Sequence, residues 1–259
     1  GVFRKWHGNN ECVVVWRNNG EEIIKNAERT GHHWQQYAEE LKFQPMVTWS
    51  RISSGDAAFR YKPHGYMSDM AGFSVYPQNA ADLPMILGYT NSKPCREFLK
   101  FMSPTLNFML GQVISLPLCH SDVIRNQVRI VVKRILEIAE DDYAKYETSW
   151  DFAANPLIAV LNSEREKAGD SSGEAASRDQ ASDGTLQGIY EKVRAGWAAN
   201  CEEMRRLETE NNRIFIEAYG LQDELTPEVP WEEITLTCNP CVSATQRGRC
   251  GHDAKGCEA

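Results

Sequence analysis

The residues with the clearest chemical potential flank a turn between two strand-like runs. Arg51, Ser53 and Ser54 precede it, and Arg60, Tyr61 and Lys62 follow it. Cations of this kind neutralise phosphate, an arginine fork reads a guanine edge through two bonds, and a serine hydroxyl meets any base edge. The set points to nucleic-acid readout, with a solvated hairpin as the plain alternative. A second group lies near the C terminus, where Cys238-x2-Cys241 is followed by Cys250, His252 and Cys257. Such a knuckle supplies two of the four ligands of a structural zinc. Its second half is irregular, however, and residues 242–259 carry almost no apolar side chain to build a site around. A reduced, disordered tail is therefore expected, and no metal. The histidines at 7, 32, 33, 64, 120 and 252 are scattered, with no carboxylate or serine at an informative spacing. The sequence has no phosphate-binding Walker loop, no G-x-G-x-x-G after a strand, no H-E-x-x-H and no G-x-S-x-G. No catalytic or cofactor-binding residue is assigned.

These groups need a scaffold, and the composition supplies one. The 259 residues are 42% hydrophobic and 25% charged, which excludes a wholly disordered chain. No stretch approaches the 18 or so apolar residues of a membrane-spanning helix, so no membrane partner is expected. The net charge of −8 hides a split. Residues 1–134 hold 16 basic and 11 acidic residues, a net +5, while residues 135–259 hold 12 and 25, a net −13. Charge asymmetry of this size says more about partners than the total does. The first half could face phosphate; the second should not. Cys12, Cys95, Cys119 and Cys201 stand apart in apolar or helical surroundings, where a free thiol packs as a small hydrophobe. A reducing, cytoplasmic location is expected. The opening Gly-Val-Phe-Arg-Lys-Trp reads as mid-protein sequence, so we expect a piece of a longer protein.

Periodicity divides the chain. Cys12–Arg17 is β-branched and aromatic and predicts a strand before the Asn18-Asn19-Gly20 turn. A short helix is expected over Trp34–Phe43, strands over Met46–Ile52 and Phe59–Lys62, and a helix over Asn91–Met102 with Pro94 in its first turn. A helix should run from Ser121 or Asp122 to about Tyr146, buried along Val128, Val131, Ile135 and Ile138. Residues 163–184 read as a polar linker. From Thr185 to Tyr219 the apolar 3–4 spacing predicts a long helix ended by Gly220. We expect it to pair with the 122–146 helix as a rod, with Asn200 and Asn211 fixing register. Trp49, Phe59, Trp150 and Trp197 fall within apolar periods and are expected in the core. The fold class is α+β. A mixed strand and helix domain at 1–120 precedes a long antiparallel, coiled-coil-like helical spacer at 121–225. A C-terminal extension follows at 226–259, disordered after 241.

Several runs carry a resemblance. Phe3-Arg4-Lys5-Trp6-His7-Gly8-Asn9-Asn10, Thr48-Trp49-Ser50-Arg51-Ile52-Ser53-Ser54-Gly55 and Gly88-Tyr89-Thr90-Asn91-Ser92-Lys93 come first. Ser103-Pro104-Thr105-Leu106-Asn107-Phe108, Glu147-Thr148-Ser149-Trp150-Asp151-Phe152 and Asn212–Leu225 follow in order. Together they resemble the PglX family, the adenine-specific DNA methyltransferases of bacteriophage-exclusion (BREX) systems. The resemblance implies that residues 1–120 are a target-recognition domain meeting double-stranded DNA through the Arg51–Lys62 region. The acidic helices after it would be a spacer. It also implies S-adenosylmethionine as cofactor of the parent enzyme, with none in this chain. The family's F-x-G-x-G loop and Asn-Pro-Pro-aromatic motif have no counterpart here, since Asn155-Pro156-Leu157 and Asn239-Pro240-Cys241 lack the second proline and the aromatic. An adenine must be lifted from the stack and held by such groups before its amine can react, so no methyl transfer is expected from this chain alone. The partners implied are DNA, the parent's catalytic domain and other phage-defence proteins. Because the likeness stops near Cys241, a frameshift or truncation is expected there. A scaffold docking defence-system subunits through its long helices is the alternative.

Overall fold

The computed structural model describes residues 3–32, 38–53, 55–68, 71–103, 105, 107–169 and 185–241. Helix α1 (Glu21–Thr30) follows the turn expected at Asn18–Gly20, where Asn18, Asn19 and Gly20 all take positive φ. The strand expected before it is absent. Val13, Val14 and Val15 are exposed, with no neighbouring strand to cover their side chains. Of the helix expected at Trp34–Phe43, residues 33–37 lie outside the described part, and Glu39–Leu41 form a single 3-10 turn.

Three antiparallel strands form the sheet: β1 (Met46–Ser50), β2 (Phe59–Lys62) and β3 (Gly72–Val75), in the order β2-β1-β3. Val47 lies opposite Tyr61 and Val75, and Trp49 opposite Phe59 and Phe73. Because side chains alternate along a strand, these six share one face, and Trp49 and Phe59 are fully buried there. Helices α2 (Leu83–Thr90), α3 (Lys93–Met102), α4 (Leu110–Ile114) and α5 (Asp122–Ala144) follow. Ser92 caps α3 by accepting from the Cys95 N–H at 3.4 Å, and Pro94 sits in the first turn, where its missing donor is harmless.

The expected polar linker is partly helical. Helix α6 (Pro156–Gly169) runs through its first residues, and residues 170–184 lie outside the described part. Helix α7 (Leu186–Tyr219) begins where Thr185 Oγ1 accepts from the Gly188 N–H at 3.1 Å, and it ends on Gly220 at φ 68°. Its 34 residues span about 50 Å. It packs against α5, and the two run antiparallel, since Val128 near the start of α5 and Asn211 near the end of α7 meet at the same point, Gly88. Beyond the expected pairing with α5, α7 also lies on α2, α3 and α6. Its C-terminal half is built into a single apolar cluster that takes in Trp6, Trp49, Leu87, Val132, Met204 and Phe215. Residues 226–241 are folded too. Val229, Ile234 and Leu236 are buried, while 242–259 lie outside the described part. Trp150 is exposed, contrary to its expected core position, because it falls in the turn after α5 and not on a helical face.

Gly88 explains how three helices meet. A Cβ there would stand 2.6 Å from Val128 Cγ1, 2.8 Å from Asn211 Oδ1 and 3.0 Å from Val132 Cγ2. Asn211, fully buried, donates Nδ2–H to the Gly88 carbonyl at 2.8 Å, so this asparagine ties α7 to α2, where register against α5 was expected. Gly88→Ala is expected to destabilise the chain by about 1–3 kcal/mol through overpacking, despite alanine's better helix propensity. A urea midpoint that stays level or rises would show that α2, α5 and α7 approach less closely.

Candidate nucleic-acid interface

The face of the sheet opposite Trp49 carries Thr48, Ser50, Arg60, Lys62 and Ser74, and the N-terminal segment covers part of it. Trp6 pairs with Arg60 as an extra bridge, donating its N–H to the Phe59 carbonyl at 2.8 Å and accepting from the Tyr61 N–H at 2.7 Å. Arg60, only 6% exposed, donates to the carbonyls of Arg4 at 3.1 Å and Ala58 at 3.3 Å and to Ser50 Oγ at 3.1 Å. Burial lowers its guanidinium to about 10. Lys62 donates to the Gly8 carbonyl at 2.7 Å and to Asn10 Oδ1. Burial, with Arg60 beside it, holds this ammonium down to about 7. Both cations therefore fasten the N-terminal segment from within. Period-two alternation after the buried Phe59 is the reason.

The other expected contact residues differ. Arg51 is half-buried; its N–H bonds the Ala71 carbonyl at 2.9 Å, and its own carbonyl accepts from Phe108 N–H at 2.8 Å. Its Nε is buried without a hydrogen-bond partner. Ser53 Oγ donates to the Asp56 carbonyl at 3.0 Å and shapes the loop. Ser54 lies outside the described residues. Tyr61 points to the opposite face of the sheet, into a groove of about 410 Å³ between α2 and α5. Leu83, Pro84, Leu87 and Leu136 give this groove an apolar floor. Arg129 and Lys133, one turn apart on α5, form one rim; Glu137 and Glu140 continue the same helix. Burial together with Asp151 and Glu137 raises the Glu140 carboxyl, and burial and Glu140 raise the Tyr61 hydroxyl.

A buried polar hub, which no sequence motif announced, anchors the N terminus. Arg4 bonds Asp142 at 2.7 Å and Thr237 Oγ1 at 2.9 Å, and Asp142 also accepts from Thr237 N–H at 2.9 Å. Glu208 accepts from the Lys5 ammonium and from Trp6 Nε1–H, the latter at 2.6 Å. Trp6 at φ 70° and Gly8 at φ 121° bend the segment so that Arg4 Nε reaches the His7 carbonyl at 2.7 Å. His7 packs edge-on to Tyr143, and burial, with Lys62 and Arg4 nearby, lowers it to about 4. It is neutral at pH 7, so its 3.8 Å contact with Glu140 is no ion pair. A signal for this hub did exist: Asp142 and Glu208 prolong the buried stripes of their helices, a place that acids occupy only when paired.

The near-miss Asn-Pro pairs have local roles. Asn155 Oδ1 accepts from Leu157 N–H at 2.9 Å at the start of α6, and Asn239 donates to the Trp231 carbonyl at 3.0 Å. Cys95 and Cys201 are buried as expected, Cys119 is half-buried, and Cys12 is exposed. Among the described residues no group of three His, Cys, Asp or Glu is placed to hold a metal; Cys250, His252 and Cys257 lie outside them. Nor is any helix among them long and apolar enough to cross a membrane.

No family model matches the chain. It is 32% identical over 240 residues, 91% of its length, to the adenine-specific methyltransferase PglX of Lacticaseibacillus casei (strain Zhang). The chain is related to the PglX family. The adenine-specific methyltransferase BrxX of Escherichia coli O9:H4 (strain HS) is 32% identical over 160 residues, 61% of the chain. The chain spans 18% of the length of that PglX and 12% of that BrxX. A match of this length takes in the sheet, the groove and most or all of α7.

Proposed function

We propose that this chain is a DNA-recognising segment of a PglX-type adenine-specific DNA methyltransferase, and that methyl transfer belongs to another part of the parent protein. The observation that carries this reading is the match of nearly the whole chain to under a fifth of an adenine-specific methyltransferase. The sequence that matches contains neither the S-adenosylmethionine loop nor the Asn-Pro-Pro-aromatic motif. In the parent, S-adenosylmethionine would supply the methyl group and double-stranded DNA the adenine. Marking host DNA against a phage-defence system is the corresponding role, with other defence proteins as further partners.

The charge distribution supports a DNA-facing side. Several exposed cations are neutralised at home: Lys25 by Glu21, Lys100 by Glu97, Arg134 by Glu137, Arg213 by Glu210 and Glu217. Arg129 and Lys133, both exposed, and the half-buried Arg51 have no carboxylate within ion-pair distance among the described residues. These, with Tyr61 and the loop at Ser53, are the proposed DNA contacts. An apolar patch supports a large neighbour. Phe101 is 93% exposed, with Met102, Met109 and Ile114 exposed nearby around α3 and α4. We assign that patch to contact with the remainder of the parent protein.

A gel shift on duplex DNA over a salt series tests the reading. The expected result is binding that weakens steeply with salt, each neutralised phosphate contributing a log–log slope of about −0.9. A chain that keeps its folded helix content yet binds no duplex at low salt would overturn it.

A further inference from the structure

The groove between α2 and α5 combines an apolar floor, a pair of cations and a separate carboxylate. Its floor is apolar, formed by Leu83, Pro84 and Leu87 beside the ring of Tyr61. Arg129 and Lys133 offer two exposed cations at i and i+4, about 5–6 Å apart at their Cβ atoms, so one anion can meet both. About 10 Å further along α5 from Lys133 stands Glu140, whose carboxylate faces a neutral His7 and has no cation of its own among the described residues. Glu137, between them, is already paired with Arg134 at 3.1 Å. A purely apolar ligand would leave the cations and Glu140 idle. A bare anion would leave the floor empty, and a cation would be repelled at the rim. A volume of about 410 Å³ also falls in the range of small-molecule sites.

We propose that this groove binds one nucleotide whose base carries an exocyclic amine: its phosphate on Arg129 and Lys133, its ring on Tyr61 and the Leu83–Leu87 wall, and its amine donated to Glu140. The spacing from Lys133 to Glu140 is comparable to the length of an extended nucleotide. A base paired within a duplex cannot enter such a groove, so the occupant is an unpaired nucleotide. As a site for a nucleotide of bound DNA the groove rests on the DNA reading above; its affinity for a free nucleotide does not.

Calorimetric titration of the whole chain with dAMP, dCMP, dTMP and inorganic phosphate tests the proposal. The amine-bearing dAMP and dCMP are expected to bind several-fold more tightly than dTMP, whose base has no exocyclic amine, and inorganic phosphate most weakly. Arg129→Ala with Lys133→Ala should lower dAMP affinity at least about tenfold, as loss of charged hydrogen bonds does. Glu140→Gln should collapse the preference for dAMP over dTMP, because an amide both donates and accepts. All three positions are exposed, and an unchanged melting temperature verifies that the variants fold. Equal binding of dAMP and dTMP, no competition by dAMP over phosphate, or dAMP binding untouched by the double variant would each overturn the site. In a duplex gel shift, wild-type binding that survives the double variant unaltered fells the groove and leaves the DNA reading standing. Absence of duplex binding together with tight, amine-selective dAMP binding does the reverse.

Discussion

Glu208→Ala is expected to destabilise the chain by about 3–5 kcal/mol, because it strands a buried ammonium. Glu208 is only 3% exposed and receives both the Lys5 ammonium and Trp6 Nε1–H. With the carboxylate gone, Lys5 keeps its charge in a site where water cannot follow, and Trp6 loses its acceptor in the core. Urea unfolding followed by circular dichroism reads the loss as a lower midpoint at unchanged slope. Glu208→Gln should fall between, since it preserves an acceptor for Trp6 and removes only the charge. A Glu208→Leu chain that also carries Lys5→Met should recover much of the loss, because an apolar pair needs no mutual neutralisation. A midpoint for Glu208→Ala within error of the parent would mean that Lys5 reaches solvent and that the hub does not anchor the N-terminal segment.

Acidification should weaken the fold through His7. Burial in the company of Lys62 and Arg4 lowers this imidazole from its ordinary 6.5 to about 4. Between those two pH values the unfolded chain takes up the proton and the folded chain does not. Stability therefore falls as pH drops from about 6.5 towards 4 and loses nothing more from this group below that. The full effect is about 3 kcal/mol, at 1.36 kcal/mol per pH unit of separation. His7→Gln, neutral at every pH, should remove that part of the slope, and the difference between the two urea midpoints over pH 4–7 measures it. Lys62 is common to both chains, so its own titration near pH 7 cancels in that difference. Its own window lies between about 7 and its ordinary 10.5, where stability should rise with pH as the folded chain gives up the proton first. Parallel midpoint curves for the parent and His7→Gln would show that His7 is hydrated in the folded chain.

The DNA-contact set shows how far residue types alone carry an argument. Arg60 and Lys62 have the right chemistry, but alternation along β2 turns both towards the N-terminal segment. Tyr61, between them, goes to the other face and so to the groove. The cations beside it, Arg129 and Lys133, come from a helix nearly seventy residues later in the chain, and nothing local in the sequence links them to Tyr61. Likewise the run Cys12–Val15 has strand propensity and no strand, because propensity forms a strand only where a neighbour supplies the ladder.

Periodicity and punctuation determined the two strands β1 and β2, the helices α3 and α5, and both ends of α7, because each is set by short-range rules: alternation, helical spacing, a threonine cap and a terminal glycine. Composition likewise separated the basic half from the acidic one. Only the tertiary structure decided that α7 packs on α2, α3 and α6 as well as on α5, that Arg4 and Lys5 meet Asp142 and Glu208, and that a groove opens between α2 and α5. Those outcomes depend on which faces of segments far apart in the chain come into contact. The selection is made by the burial of apolar area and the pairing of buried charge in three dimensions, and neither quantity exists until the chain has closed on itself.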